Sequence, residues 1–384
     1  MSDYRREPSY RDEEPRRRSS NGGSRSGSGS AKSKRARAKA KRKKRIMLFV
    51  IEFLVLAIMI GVLVVVQKMD KIEKVQLNDE DITINEEVAD KETLKGYKNI
   101  ALFGVDVSEN HNLGKGARTD TIMILSLNED TGDARLASVY RDTYLNVGND
   151  SYNKANSAYS KGGPEQALNM LNMNLDLNIT DYVTIDFRAL TDTINALGGI
   201  EIDVQEEEIV HLNNYQIGTQ EVTGGEIVEV TQPGLQTLNG LQATSYCRIR
   251  YTAGDDFKRT ERQRTVLMKV AEKAKQSDIG TINQIINDVF PKIQTSFSNS
   301  EMLGYAANFM NYNLVDTLGF PVAKETGTIG KKGSCVVPTD LKENVMVLHG
   351  FLFDIDPTTY EPSEAVLQIS DHIKSDTSSY IGSK

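Results

Sequence analysis

Hydrophobic and polar positions follow two different patterns along this chain. Short apolar runs rich in β-branched residues predict strands, and longer runs with apolar residues three and four apart predict helices. The predicted strands are residues 98–107, 119–127, 134–140, 181–187 and 200–204. The predicted helices are residues 162–175, 188–199, 238–247, 259–276 and 279–290. Because the two kinds of element are interspersed, the sequence predicts an α/β fold with a mixed central β-sheet covered by helices on both faces.

One hydrophobic run is much longer than the others. Residues 46–66 form 21 consecutive positions with a single charge, Glu52. As a helix this run is about 30 Å long, which matches the hydrocarbon layer of a bilayer. No small-residue cleavage pattern follows it, so we predict one transmembrane helix that acts as an uncleaved signal anchor.

Charge differs sharply between the two sides of this run. Residues 1–45 carry 17 basic and 5 acidic residues, although the whole chain has a formal net charge of −7. The positive-inside rule therefore predicts a single-pass protein of the cell membrane with a cytoplasmic amino terminus and an extracellular domain. Basic tails also bind nucleic acid, but no zinc, helix-turn-helix or aromatic-interleaved pattern supports that partner. We expect the tail to be disordered and to contact anionic membrane lipids.

Composition divides the chain into five segments. After the basic tail at 1–45 and the anchor at 46–66, an acidic, polar stretch at 67–96 is expected to be an extracellular spacer. A catalytic domain is predicted at 97–350, and residues 351–384 are expected to form a C-terminal tail.

The sequence limits the chemistry that histidine and cysteine can provide. Its 4 histidines are scattered without metal-site or catalytic-triad spacing, so catalysis led by histidine is not expected. Its 2 cysteines, Cys247 and Cys335, cannot form a zinc site alone. Whether they are free thiols or a disulfide is open from the sequence.

Charged side chains stand where predicted strands begin or end. Asp106 ends the first strand, and Arg118 and Asp120 open the second. Arg118 and Asp120 share a face if the segment is extended, because strand side chains alternate. Two carboxylates with phosphate oxygens and waters are a usual ligand set for Mg²⁺. A capped loop beside a surface ion pair explains the same spacing equally well.

A third predicted strand ends abruptly at Arg141 and Asp142, in the sequence SVYRDTYLN. The end of a core strand is a common place for a functional site, since loops carry function on a rigid scaffold. It is also a common place for a strand to stop. Arg141 and Asp142 therefore indicate a site only in combination with the charged residues at the other strand ends.

The segment YCRIRYTAGDDFKRTERQR, residues 246–264, concentrates arginine in an otherwise acidic region. Arg248 and Arg250 share a face if the chain is extended there, and they diverge if it is helical. An aspartate is expected to cap a helix that begins near Phe257. On that helix, three polar side chains have the spacing of a single face: Arg259, Arg262 and Gln263. Guanidinium groups suit a phosphate or pyrophosphate, whereas a solvated basic helix face is the alternative.

Together these segments resemble the LytR-CpsA-Psr family of Gram-positive cell-envelope proteins. The resemblance rests on an ordered series: FGVD, GARTDT, VYRDTY, NKANSAYSKGG, DYVTIDFRALTDTINALGGIEIDV, LNGLQATSYCRIRY and DFKRTERQR. It covers roughly residues 98–275 and is supported by the basic segment and single anchor before them.

The resemblance implies an α-β-α fold and a phosphotransferase that uses Mg²⁺, or Mn²⁺ in its place. Such an enzyme moves an anionic glycopolymer, such as teichoic acid or capsular polysaccharide, from an undecaprenyl-pyrophosphate carrier to peptidoglycan. Hydrolysis of the pyrophosphate is a possible side activity. The alternatives are a protein that binds or senses pyrophosphate lipids and a membrane-tethered regulator, neither of which transfers polymer.

The resemblance also implies roles for individual residues. It assigns the metal to Asp106 and Asp120. It assigns catalysis to Arg118, Asp120 and Arg141. The residues that it places around the pyrophosphate are Arg118, Arg141, Arg248, Arg250, Arg259 and Gln263. Those that it makes supporting residues are Asp142, Asp256 and Arg262.

A polyprenyl tail needs an apolar groove, which the resemblance also implies. Apolar residues at helical spacing on two predicted helices are candidates for its lining. They are Leu168, Leu171, Leu175, Leu190, Ile194 and Leu197. The same spacing is typical of residues that pack in a core.

Overall fold

The computed structural model describes residues 66–89, 91–106, 113–251 and 255–381, together with the isolated positions Ile51 and Leu56. The described domain lies within one compact unit, Val64–Lys384. The predicted basic tail and nearly all of the predicted anchor lie outside the described residues. Among the residues that are described, no helix is both long enough and apolar enough to cross a membrane.

Strands and helices are interspersed, as the sequence predicts. The strands are β1 Glu73–Lys74, β2 Tyr97–Asp106, β3 Arg118–Asn128, β4 Asp133–Val139, β5 Tyr144–Asn146, β6 Tyr152–Lys154, β7 Asp181–Asp186, β8 Ile200–Val204, β9 Gly234–Leu238, β10 Ile293–Thr295, β11 Asn313–Phe320, β12 Lys324–Thr328 and β13 Ser334–Pro338. The helices are α1 Glu86–Ala89, α2 Asn156–Leu175, α3 Phe187–Ala196, α4 Glu206–Thr223, α5 Gly240–Tyr246, α6 Asp255–Lys275, α7 Ile279–Asp288, α8 Asn299–Asn308, α9 Leu341–Phe353 and α10 Glu364–Thr377.

A seven-stranded mixed sheet forms the centre of the domain, with the order β1-β10-β7-β2-β3-β4-β11. Strands β2, β3 and β4 are antiparallel neighbours, whereas β7 runs parallel to β2 and β11 parallel to β4. The two-stranded pairs β5-β6, β8-β9 and β12-β13 lie outside this sheet. The prediction of an α/β fold with a mixed central sheet is confirmed.

The two faces of the sheet are packed differently. On one face, α2, α9 and α10 cover the main hydrophobic core, which includes Phe103, Ile124 and Leu171. On the other face, α3 and α6 lie over Leu102 and Met123 and leave a cavity between the helices and the sheet. Because neighbouring strand residues point to opposite faces, each of β2 and β3 contributes to both layers.

Local sequence explains where two helices begin. Helix α2 starts before the predicted residue 162 because Gly163, at φ 71°, allows a kink within it. Helix α5 starts later than predicted because Leu238 still belongs to β9. Asn239 then caps the helix, and its side chain accepts a hydrogen bond from the backbone nitrogen of Gln242.

Segments before and after the predicted catalytic domain pack into the same hydrophobic core as that domain. Val88 and Leu94, in the predicted spacer, are buried in the main core. Beyond residue 350, Val366 and Ile373 are also buried there. They belong to α10, whose apolar residues at helical spacing face the core. The expected C-terminal tail is therefore an ordered part of the domain over its described length.

Candidate functional site

A β-bulge positions Asp120 at the end of the central strands. Gly104 pairs with Thr121 and Val105 pairs with Thr119, so Asp120 is an extra residue between the two pairs. A Cβ atom on Gly104 would lie 2.9 Å from the Cβ atom of Thr121, which explains the glycine. The bulge breaks the alternation that was expected to place Arg118 and Asp120 on one face of an extended strand.

Arg141 follows β4 and is surrounded by carboxylates. Its Nη1 atom donates a hydrogen bond to Asp120, and its Nε atom lies 3.6 Å from an oxygen of Asp142 and 3.9 Å from one of Asp256. Burial opposes the charge of Arg141, but these carboxylates outweigh burial and raise its pKa. The Nε atom has no hydrogen-bond partner in the described part of the chain.

Arg259, in the first turns of α6, is 2% exposed. Its Nη2 atom donates to Asp256 over 3.0 Å, while its Nε and Nη1 atoms have no partner among the described residues. Burial lowers the pKa of Arg259 from its usual range to about 10, which leaves it charged at neutral pH. Burial therefore disfavours the charged form of Arg259 by roughly 3 kcal/mol. An anion beside Arg259 would supply the missing hydrogen-bond acceptors.

Two other predicted residues adjoin this arrangement. The Nε atom of Arg250 lies 3.8 Å from an oxygen of Asp256. Gln263, one helical turn beyond Arg259, has a buried Oε1 atom that lacks a partner in the described chain. We call the set Arg141, Arg250 and Arg259 with Asp120 and Asp256 the arginine cluster.

Arg248 has hydrogen-bond and ring contacts outside the arginine cluster. Residues 247–250 form a turn and then irregular chain, neither a strand nor a continuing helix. The Nη1 atom of Arg248 donates to Oγ1 of Thr219 over 3.0 Å. Its guanidinium carbon lies 5.1 Å from the ring centre of Phe187 and 5.9 Å from that of Tyr215. Cation–π contacts of this kind hold an arginine over aromatic faces.

Arg262 also has contacts outside the arginine cluster, although its spacing predicts the same helix face as Arg259 and Gln263. Its Nε atom donates to Glu208 over 2.7 Å, and both side chains are buried. Its Nη1 atom donates to the backbone oxygen of Ile249 over 3.2 Å. Arg262 therefore connects α6 to α4 and to the segment between Arg248 and Arg250. Sequence reasoning missed Glu208, whose only local signal is the capping box at the start of α4.

Asp106 and Arg118 face each other across the last pair of the β2-β3 ladder, and both are exposed. In the described part of the chain Arg118 forms no ion pair, and no group of three acidic, histidine or cysteine residues suitable for a metal is found. The described chain thus offers two candidate carboxylates, Asp106 and Asp120, at the end of neighbouring strands.

An apolar cavity of about 220 Å³ lies between the sheet and helices α3 and α6. Its lining includes Leu102, Met123, Leu190 and Val266. Gln263, one helical turn beyond Arg259, also lines it. Cys247 also lines it. Both Cys247 and Cys335 are buried free thiols, and burial raises the pKa of Cys247 to about 12.

Most of the residues predicted to line a lipid groove do not line this cavity. Of the six candidates only Leu190 lines the cavity. The three leucines of α2 (Leu168, Leu171 and Leu175) are fully buried in the main core on the opposite face of the sheet. Ile194 belongs to a second core beneath α4, and Leu197 is buried without lining the cavity. Their helical spacing reflects core packing, because the two environments produce the same pattern.

Comparison with known proteins identifies the class to which this fold and site belong. The LytR_cpsA_psr family matches residues 60–344. The chain belongs to that family, and the resemblance found in its sequence is confirmed.

Similar curated proteins include two polyisoprenyl-teichoic acid–peptidoglycan teichoic acid transferases. TagU of Enterococcus faecalis is 29% identical over 215 residues, which are 55% of this chain and 65% of that protein. TagT of Bacillus subtilis is 28% identical over 207 residues, which are 53% of this chain and 62% of that protein. The matched region thus spans slightly less than two thirds of the length of these relatives.

Solved structures share the fold. Protein gbs0355 from Streptococcus agalactiae has a TM-score of 0.58 and 25% identity, covering 70% of this chain and 90% of that one. TagT bound to LI-WTA has a TM-score of 0.55 and 21% identity, covering 73% and 98%. TagT with bound octaprenyl pyrophosphate lipid has a TM-score of 0.50 and 18% identity, covering 79% and 98%.

Proposed function

We propose that this protein is a phosphotransferase that attaches an anionic glycopolymer, a teichoic acid or a capsular or wall polysaccharide, to peptidoglycan. The donor is the polymer linked to a polyprenyl pyrophosphate. One observation carries the proposal: Gln263, which lines the apolar cavity, lies one helical turn beyond the incompletely hydrogen-bonded Arg259. Two relatives are named as transferases of teichoic acid to peptidoglycan, and one fold neighbour is described with a bound octaprenyl pyrophosphate.

The cavity and the arginine cluster suit the two ends of such a lipid. The prenyl chain enters the cavity, where each buried methylene contributes about 0.8 kcal/mol. The pyrophosphate accepts hydrogen bonds from Arg259, Arg141 and Arg250. The acids Asp120 and Asp256 hold these guanidinium groups in place before the lipid arrives. Preorganised donors of this kind need little rearrangement when charge develops during the reaction.

The chemical step exchanges one phosphorus–oxygen bond for another. A sugar hydroxyl of peptidoglycan attacks the phosphorus that bears the glycopolymer, and the bond from that phosphorus to the bridging oxygen breaks. Polyprenyl phosphate leaves, and the hydroxyl proton is released to the medium. Arg141 and Arg259 stabilise the negative charge on the leaving phosphate and on the transferred phosphoryl group. This role requires position and charge rather than a histidine.

Asp106 and Asp120 are the residues that we propose to hold Mg²⁺, or Mn²⁺ in its place. Magnesium is commonly bound by one or two carboxylates, while phosphate oxygens and waters complete its ligands. Two carboxylates at the ends of neighbouring strands fit that requirement. When bound, the metal neutralises phosphate charge. Asp120 would then serve both the metal and Arg141, so its loss is expected to affect both.

The proposed reaction takes place outside the cell membrane. Residues 46–66 anchor the domain in the bilayer, and the basic residues before them contact anionic lipids on the cytoplasmic side. This topology brings the domain to the lipid-linked donor on one side and to peptidoglycan on the other.

The test is an assay with the purified full chain in lipid nanodiscs, Mg²⁺, a polyprenyl-pyrophosphate-linked glycopolymer and a peptidoglycan fragment. Mass spectrometry follows the polymer–glycan product, and released polyprenyl phosphate is measured in parallel. We expect both products from the wild-type chain. Arg141→Ala should lower transfer roughly 100-fold or more, whereas Lys258→Ala, which changes an exposed base on α6, should not.

The outcomes separate the proposal from its alternatives. Lipid release without a polymer–glycan bond would indicate pyrophosphate hydrolysis. Lipid binding without either product would indicate a binding or sensing protein. Normal transfer by Arg141→Ala, with an unchanged circular dichroism spectrum, would contradict the role given to Arg141.

A further inference from the structure

Three aromatic side chains form a surface group that the transfer reaction, as described above, does not use. Tyr251 is 75% exposed. Its ring centre lies 6.4 Å from that of Tyr215 with 20° between the ring planes, and 5.9 Å from that of His211 with 38° between the planes. Tyr215 and His211 belong to α4. We call His211, Tyr215 and Tyr251 the aromatic platform.

The aromatic platform adjoins both parts of the proposed donor site. Arg248 contacts the rings of both Phe187 and Tyr215, and Phe187 lines the apolar cavity. On the other side, Tyr251 follows directly after Arg250, which is part of the arginine cluster. A group attached to a pyrophosphate at the arginine cluster is therefore next to an exposed aromatic surface.

Folding alone does not account for an exposed ring at this position. Burying an apolar side chain stabilises a fold, and Tyr251 contributes little of that kind because most of its surface faces solvent. Exposed aromatic residues beside a polar site are instead typical of binding surfaces. The face of an aromatic ring carries partial negative charge and attracts the partially positive C–H groups of a ligand.

Neighbouring charges distinguish between two occupants of this surface. A membrane interface also attracts tyrosines, but Glu206 and Glu207 in the first turn of α4 are exposed close to His211 in the sequence. Their negative charge opposes contact with anionic lipid headgroups. Arginine charges, that of Arg250 first among them, also act on Tyr215, and in the proposed site they face the pyrophosphate of the donor rather than a headgroup. A neutral sugar ring, with one face of C–H groups and a rim of hydroxyl groups, suits stacked aromatic side chains and is not repelled.

We propose that the aromatic platform binds the first sugar of the lipid-linked donor, with the apolar face of the sugar ring stacked on Tyr251. The inference rests on the proposed function, since the arginine cluster must hold the pyrophosphate that carries this sugar. The platform then contributes to the choice of a glycosylated donor over the free carrier lipid, because that lipid has nothing to place on Tyr251.

The test compares two lipids on the full chain in nanodiscs. One is polyprenyl pyrophosphate, and the other is the same lipid carrying an N-acetylhexosamine. We expect wild-type protein to bind the glycosylated lipid more tightly. Tyr251→Ala should weaken that binding roughly three- to tenfold and leave binding of the sugar-free lipid unchanged. Tyr251→Phe, which keeps the ring, should bind as wild type, as should Tyr380→Ala, which removes another exposed tyrosine.

Each other result overturns the inference. Equal loss for both lipids would show that Tyr251 supports the fold or the pyrophosphate site, and no loss would show that it is not used. Weakened binding to anionic vesicles, with both lipids bound normally, would assign the platform to the membrane. Failure of wild-type protein to bind polyprenyl pyrophosphate at all would instead refute the proposed function, so the two failures are distinguishable.

Discussion

Arg259 and Arg262 lie three positions apart on helix α6 and are almost equally buried, at 2% and 4% exposure. Their surroundings differ completely. Arg262 meets the buried carboxylate of Glu208 at 2.7 Å and also a backbone oxygen. Arg259 meets one partly exposed carboxylate, Asp256, at 3.0 Å, and two of its nitrogen atoms have no partner in the described chain.

The difference indicates what each arginine contributes. A buried ion pair with further hydrogen bonds satisfies both of its members, so the Arg262–Glu208 pair fixes the geometry of α6 against α4. A buried cation with unpaired donors destabilises the fold and persists where a ligand completes its hydrogen bonds. On this basis we propose that Arg262 positions the site and that Arg259 binds the anion.

The largest expected effect comes from breaking the ion pair between Arg262 and Glu208. Glu208→Ala leaves the charge of Arg262 buried without its partner, so the free energy of unfolding should fall by about 3–5 kcal/mol. Chemical denaturation followed by circular dichroism measures the change. Glu207→Ala, an exposed neighbour in the same helical turn, is the matched control and should change stability by less than about 0.5 kcal/mol. A small effect of Glu208→Ala would remove the distinction between the two arginines.

The second prediction concerns Arg259, whose hydrogen bonds are incomplete among the described residues. Arg259→Met keeps an extended apolar side chain but removes the buried charge, so polymer transfer should fall roughly 100- to 1,000-fold. The same change should leave the free energy of unfolding unaltered or higher, because an uncompensated charge is gone. Transfer assays and denaturation of the same preparation test both parts. A destabilisation as large as that of Glu208→Ala would show that Arg259 is structural.

His349 is a third buried basic side chain, and unlike the two arginines it can be neutral near physiological pH. It is fully buried, its Nδ1 atom lacks a partner in the described chain, and burial lowers its pKa from 6.5 to about 4. The unfolded chain therefore takes up this proton at a higher pH than the folded chain. The stability contributed by neutral His349 is complete above about pH 6.5 and is lost as the pH falls towards 4.

That loss amounts to roughly 3 kcal/mol for the pKa change of His349. Denaturation between about pH 7.5 and 4 measures it. His349→Leu should flatten this dependence, whereas His372→Leu, at a more exposed histidine, should retain it. A wild-type profile that matches that of His349→Leu would contradict the prediction.

The smallest expected effect concerns the cavity beside Arg259. Met123→Trp should fill part of it and weaken binding of a long polyprenyl pyrophosphate roughly tenfold, which is about 1.4 kcal/mol. Binding of inorganic pyrophosphate should be unchanged, because the arginine cluster is intact. Titration calorimetry compares the two ligands. Equal weakening of both would mean that the substitution disturbs the arginine cluster.

Much of the fold is predictable because its signals are local. Four strands of the central sheet stand out as short apolar runs, and the predicted bounds of β2, β3, β4 and β7 differ from the observed ones by at most one residue at either end. The other three strands of that sheet, β1, β10 and β11, are not predicted. Helix α10 is missed because its amphipathic pattern, which includes Val366 and Ile373, lies beyond the segment expected to fold.

The site is less predictable because it depends on contacts between distant residues. The bulge at Asp120 arises from pairing with Gly104 on another strand, so the spacing of Arg118 and Asp120 does not reveal it. The partner of Arg262 lies 54 positions away in the sequence. Local spacing places Arg259 and Arg262 on one helix face, and only the fold shows that they have different partners.

The lipid groove shows the same limitation. Strands β2 and β3 are covered on both faces, so their apolar runs are nearly continuous and do not separate core residues from cavity residues. Phe103 packs in the main core while its neighbour Leu102 lines the cavity. The spacing of Leu168, Leu171 and Leu175 is typical of residues that pack in a core, and only the family resemblance implies a groove.

The most direct test of the central claim is a structure of the full chain with bound polyprenyl pyrophosphate. It should show phosphate oxygens within hydrogen-bond distance of Nε and Nη1 of Arg259, and the prenyl chain in the cavity lined by Met123 and Leu190. A lipid bound elsewhere, or a pyrophosphate that leaves both nitrogen atoms of Arg259 unpaired, would contradict the account.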